Sequence, residues 1–225
     1  MLSITDDGWG WRLAGGISLA AGVVLFVLNE IWNRQTAGGI RAERANFTLL
    51  LADALLPMIG RLSRMPAKDT DGRMAALETV LADVAMAAPA LLPHADRMRV
   101  VVYRLEPAVG RRKRRLVPET YGRNDNAKKL SEGDGGRGDA VFAVLTSGKT
   151  QFVADVTKAN LPGGSRSGKG YRTFISAAVV ADGSAYGVLN VDAPQPGDLD
   201  EGDKEAVEVL AGMLGLAFAI AEKAS

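Results

Sequence analysis

Phe174-Ile175-Ser176-Ala177-Ala178-Val179-Val180 and Tyr186-Gly187-Val188-Leu189-Asn190-Val191-Asp192 stand on either side of Asp182-Gly183. Runs rich in β-branched residues bounded by turn residues read as strands. The Asp-Gly pair supplies the positive φ angles that a tight hairpin needs, so the two runs are expected to pair antiparallel. Strand alternation sends Leu189 and Val191 to one face and Val188 and Asn190 to the other. Asn190 therefore faces either a ligand or the flanking helices. Beyond the hairpin, Pro194, Pro196 and Gly197 break the chain, and Asp200 or a neighbouring acid is placed to cap a helix over 201–222. Its stretch Val209 to Ala221 holds 13 residues without a charge, too short to span a membrane and apolar on every face. Such a helix is buried all round. Gly212 and Gly215 allow another helix to approach closely, either the one at 74–92 or that of a second copy, and a homodimer is expected.

Working back from the hairpin, Gln151-Phe152-Val153 reads as a brief strand and 139–146 as a short helix closed by Ser147-Gly148. Strands are expected at 116–121 and at 99–105, the latter on the run Val100-Val101-Val102. A helix over 74–92 places Met74, Leu77, Leu81 and Val84 on one stripe and ends near Pro89. The class is α+β, a central antiparallel sheet with flanking helices. Residues 66–71, polar and opened by Pro66, form the linker before a domain at 72–223.

The first 65 residues differ in character. Leu13 to Asn29 is 17 uncharged, mostly apolar residues, the short end of what a spanning helix needs. Trp9, Trp11 and Trp32 flank it, where amphipathic rings favour the headgroup level. Asp6 and Asp7 replace the basic start of a signal peptide. The expected layout is an extracytoplasmic N-terminus at 1–12, a transmembrane helix at 13–32 and a juxtamembrane helical connector at 33–65, kinked at Pro57. Arg34, Arg41 and Arg44 after the span outnumber Arg12 before it, which puts the following domain in the cytoplasm.

Composition excludes much chemistry. The 225 residues carry 27 Lys plus Arg against 26 Asp plus Glu, so no overall field selects nucleic acid. There is no cysteine and one histidine, His94, which removes disulfides, thiolate metal sites, cysteine nucleophiles and clusters of histidine ligands. Gly163 to Gly170 nearly matches a phosphate loop, but Gly170 stands where the Ser or Thr for magnesium belongs. No triad, paired carboxylates or metal constellation stands out, and enzymatic activity is not expected.

Gly133-Asp134-Gly135-Gly136-Arg137-Gly138-Asp139-Ala140-Val141, then Thr146 to Thr150 and Asp155-Val156, resembles the middle of a GAF domain. Gly187 to Pro194, followed by Asp203 and a long apolar helix, resembles its end. The resemblance spans about residues 72 to 222 and implies a GAF/PAS-like sheet with helices on one side and a small-molecule pocket on the other. It also implies that bilin attachment and methionine sulfoxide reduction, which use cysteines in that family, are absent. Haem lacks an axial ligand, since His94 precedes the first strand, so no cofactor is expected. The cyclic-nucleotide signature is only partly matched, with Leu199 in place of phenylalanine and Lys204 in place of glutamate.

The family's ligand loop falls on 159–170, and the ligand-binding residues it implies are Phe152, Asp155, Tyr171, Arg172 and Phe174, with Asn190. An aromatic wall with one guanidinium and one carboxylate suits a planar, anionic or polar ligand. Arg111-Arg112-Lys113-Arg114-Arg115 forms a basic turn facing either anionic lipid or a partner. The expected protein is a membrane-anchored cytosolic sensor that binds a small ligand and signals through a dimer or an effector protein. The alternative is a ligand-free module that scaffolds a partner at the membrane.

Overall fold

The computed structural model describes residues 41–95, 97–109, 113–122, 127–159, 161 and 170–222. The expected N-terminus, transmembrane helix and start of the connector, at 1–40, lie outside them. Helix α1 (Arg41–Arg64) runs through Pro57 as one helix. Leu55, Met58, Leu62 and Met65 are buried at helical spacing along it and into the short 3-10 turn Met65–Ala67. Helix α2 (Thr70–Leu91) begins earlier than its apolar stripe implies. The Asp69 carboxylate accepts from the Gly72 amide at 2.8 Å and caps it, so Thr70 and Asp71 at the end of the expected linker belong to the helix. It ends two residues beyond Pro89, where buried Leu91 and Leu92 hold the last turn.

Six strands follow: β1 (Arg99–Glu106), β2 (Arg115–Gly122), β3 (Leu130–Ser131), β4 (Gln151–Val153), β5 (Thr173–Ala181) and β6 (Ser184–Ala193). They form one antiparallel sheet in the order β3-β2-β1-β6-β5-β4. Helix α3 (Arg137–Ser147) precedes β4 and helix α4 (Asp203–Glu222) closes the domain. The β5–β6 hairpin turns through Asp182 and Gly183 at φ 49° and 73°, as the Asp-Gly pair requires.

Register assigns the two faces. Val100, Ile175 and Val191 lie in one cross-strand row and Val102, Ala177 and Leu189 in the next, on the face covered by α4 and, outside it, α2. Arg104, two positions on from Val102 on the same face of β1, pairs with Glu78 of α2 and lies 5.3 Å from the Phe218 ring of α4. Gly215 lets α4 sit directly on β5, since a Cβ there would lie 2.3 Å from the Val180 carbonyl oxygen, whereas Gly212 is exposed with nothing near it. The close approach expected between helices is therefore made to a strand, and α2 covers α4 from the other side. Asp200 accepts from the amides of Gly202 at 2.7 Å and Asp203 at 3.2 Å, and Asp203 returns a bond from the Asp200 amide at 2.8 Å. This reciprocal cap fixes the start of α4. Helix α2 is also the one described helix long and apolar enough to cross a membrane. Here its buried stripe packs against α4 in the domain core.

The opposite face is shared. Toward β1 and β2, Val101, Tyr103, Leu116 and Val188 pack against Val141, Phe142, Val144 and Leu145 of α3. Toward β5 and β4, Val153, Val156 and Tyr171 form a smaller cluster with Phe174 and Leu161. Between the two clusters the packing is incomplete.

Candidate functional site

The gap between the two clusters is a partly open cavity of ≈ 30 Å³, room for about two waters. Val141 and Ala140 of α3, Leu161, Tyr171 and Phe174 supply apolar walls, while Arg137, Gln151, Ser176 and Asn190 supply the polar groups. Phe174 meets Tyr171 edge to face, with ring centroids 6.2 Å apart, a favoured geometry for two rings.

Beneath the cavity runs a buried polar chain. The Ser176 hydroxyl donates to the Asn190 side-chain oxygen at 2.6 Å, and the Asn190 amide donates to Asp192 at 3.4 Å. Asp192, fully buried, accepts from Arg99 Nε at 3.0 Å and Nη2 at 2.7 Å, and Arg99 is itself only 4% exposed. Register makes this chain possible, because Asp192 stands opposite Arg99 and Asn190 opposite Ser176 on neighbouring strands of one face. Replacing a buried ion pair by apolar residues is often neutral or stabilising, so stability alone gives little reason for one here. Tyr171 lies against two guanidiniums, with Arg99 at 5.8 Å and Arg137 at 5.6 Å from its ring centroid. Arg137 Nη2 also donates to the Tyr103 hydroxyl at 3.5 Å. Burial pushes the Tyr103 phenol above its ordinary pKa, against the lowering pull of Arg137 and Arg99, so it stays neutral.

Of the residues singled out in the sequence, Tyr171, Phe174 and Asn190 line this cavity together. Phe152 does not reach it. It pairs with Ile175, while its neighbours Gln151 and Val153 pair with Ser176 and Phe174, so alternation turns Phe152 to the other face. Asp155 and Arg172 join each other instead of lining the cavity. Arg172 Nε and Nη2 both reach Asp155 Oδ1 at 3.3 Å, and Nη2 reaches the Thr157 hydroxyl at 3.1 Å. The Thr157 hydroxyl and amide, then Arg172, hold the Asp155 carboxyl below its usual range. The sequence does not mark Arg137 as a site residue, although it lies within the glycine-rich run at 133–138. It opens a helix whose position depends on contacts distant in sequence.

Arg111 and Arg112 of the basic turn lie outside the described residues. Lys113 pairs with Asp134 at 3.0 Å, and Arg114 pairs with Glu132 and lies over the Phe142 ring. Glu132 and Asp134 are lowered in pKa chiefly by these hydrogen bonds. Arg115 opens β2 opposite Ser131. The near-match to a phosphate loop lies outside the described residues except for Gly170, where φ is 96°. A second recess of ≈ 250 Å³, more open, lies between α1 and α2 and is lined by Asp53, Pro57, Asp83 and Met86. Its polar lining is the pair of carboxylates, of which Asp83 is held by Arg61. No cluster of potential metal ligands occurs among the described residues.

A GAF domain family model matches residues 75–218, more than half of the sequence, and the chain belongs to that family. The fold is similar to that of a protein described as a GAF sensor from Burkholderia vietnamiensis, at 20% identity and TM-score 0.51, over 82% of this chain and 100% of that one. Similarity extends to the free methionine-R-sulfoxide reductase of Neisseria meningitidis, at 22% identity and TM-score 0.46, covering 71% and 87%. It also extends to the type II enzyme of Thermoplasma acidophilum, at 17% and 0.48, covering 64% and 94%. At these identities the likeness is one of fold. No curated protein matches the sequence. The reductases overturn one expectation: GAF folds include enzymes, so the expectation that this chain is not an enzyme does not stand.

Proposed function

We propose that this GAF domain is a ligand sensor whose site is the cavity between α3 and β4–β6. The carrying observation is the buried chain Ser176–Asn190–Asp192–Arg99 under an apolar gap. Four of the six buried polar or charged residues among those described gather there. Concave, largely apolar pockets with a few converging polar groups are the usual form of a small-molecule site. The cavity as it stands admits only water-sized guests, so occupation parts the Tyr171–Phe174 pair or moves Arg137.

The sensor works at a membrane, held by a helix at 13–32 with its domain in the cytoplasm. The uncharged stretch at 13–29 and its flanking tryptophans support that placement. It signals through a dimer or an effector protein. Leu56 and Met86, 61% and 78% exposed on α1 and α2, support this helical surface as the contact. Native mass spectrometry of the full chain released from detergent tests the reading. A dimer carrying a bound small molecule is expected. A monomer that stays free of any bound mass after incubation with a metabolite extract would sink it.

A further inference from the structure

We propose that the guest of this cavity is a small organic monocarboxylate and that Arg137 is the residue that holds its carboxylate; the assignment rests on the cavity being the ligand site. Three guanidiniums lie in this region. Arg99 is neutralised by Asp192, and Arg172 is engaged by Asp155 away from the cavity lining. Arg137 lines the cavity, and among the described residues its contacts are the Tyr103 hydroxyl at 3.5 Å and the face of Tyr171. No carboxylate among the described residues pairs with it. A partly buried cation against an apolar wall has given up hydration without gaining a counter-charge. Both present contacts are easily exchanged, since 3.5 Å is the long limit of a hydrogen bond.

Charge and shape narrow the guest further. Arg99 and Asp192 cancel, so Arg137 leaves the site with one positive charge, matched by one negative charge. A dianion would leave its second charge without a counter-charge among the cavity's lining residues. A carboxylate offers two coplanar oxygens to the guanidinium fork. The remaining wall of Ala140, Val141, Leu161 and Phe174 calls for a hydrocarbon body. The Gln151 amide and Ser176 hydroxyl leave room for one polar substituent or a water. The ≈ 30 Å³ gap has to widen to take even a short chain, which favours a small body.

The test uses the full chain in detergent and a panel of aliphatic monocarboxylates from acetate to hexanoate plus benzoate, each beside its primary amide. Calorimetry and thermal shift read saturable binding. At least one carboxylate is expected to bind and its amide to bind about tenfold or more weakly, the scale of a charge-assisted fork. Arg137→Gln is expected to lose carboxylate binding by a similar factor while circular dichroism is unchanged, and Arg137→Lys to keep part of it. Amides binding as well as acids would overturn the carboxylate assignment and leave the ligand site standing. So would full binding by Arg137→Gln. No binding by any of the panel also overturns it. The site itself falls if Ala140→Leu, which fills the gap, leaves every small-molecule interaction of the chain unchanged.

Discussion

Under α4 the sheet presents Val100, Val102, Ile175, Ala177, Leu189 and Val191, while at the adjacent positions of the same strands the other face presents Arg99, Ser176, Asn190 and Asp192. Both sets are buried, so both lost their water on folding. The apolar set gained about 25 cal/mol for each Å² removed from water. The polar set had to recover its hydration through mutual hydrogen bonds, which return only a modest net gain. A sheet that needed only stability would make both faces like the first. Under the proposed function, the α4 side carries stability alone, while the polar patch on the α3 side carries selectivity beside an apolar cluster.

Asp192→Ala gives the largest expected effect. It leaves Arg99 buried without its partner, and denaturant unfolding should show a loss of about 3–5 kcal/mol. A loss below about 1 kcal/mol would mean that water already reaches Arg99, and the contrast between faces would weaken. Next comes the helix face itself. Gly215→Ala drives a Cβ into the Val180 carbonyl and should cost about 1–3 kcal/mol as overpacking. Gly212→Ala on the same helix meets open space and should be neutral or gain up to about 1 kcal/mol. Equal effects of the two would show that α4 does not rest on β5 as described.

The smallest effect concerns pH. Asp155 is held below its usual pKa by Thr157 and Arg172, so the folded state favours its charged form. The stability it contributes is present above the ordinary carboxylate range and drains as pH falls through the lowered folded value. Asp155→Asn should therefore flatten part of the acid limb of the melting temperature against pH, with little change at neutrality. An unchanged acid limb would remove the Asp155–Arg172 pair from the account.

These contrasts also mark what could be read from sequence. The β5–β6 hairpin was legible because two β-branched runs flank Asp182-Gly183, a signal contained within 20 residues. Strand β3, Leu130–Ser131, was not, since two residues carry no period. Phe152 looked like a ligand contact because it is aromatic and near the loop. Its alternation against Gln151 and Val153 places it on the other face once the register with β5 is known. Arg172 looked like the guanidinium for the ligand, but Asp155, 17 residues earlier, engages it. Arg99 and Asp192 are 93 residues apart, and only the pairing of β1 with β6 brings them together. Tertiary register decides which charge is free, and no local pattern encodes it.

The most direct test is the double replacement Arg99→Met with Asp192→Leu, made in the full chain and measured for both melting temperature and bound small molecule. The account predicts a fold as stable as the parent or more so, since apolar isosteres replace a buried ion pair without leaving a charge behind, together with loss of the bound molecule. A double variant that unfolds like Asp192→Ala, or one that keeps its ligand, would show that the buried chain serves the fold and not the site.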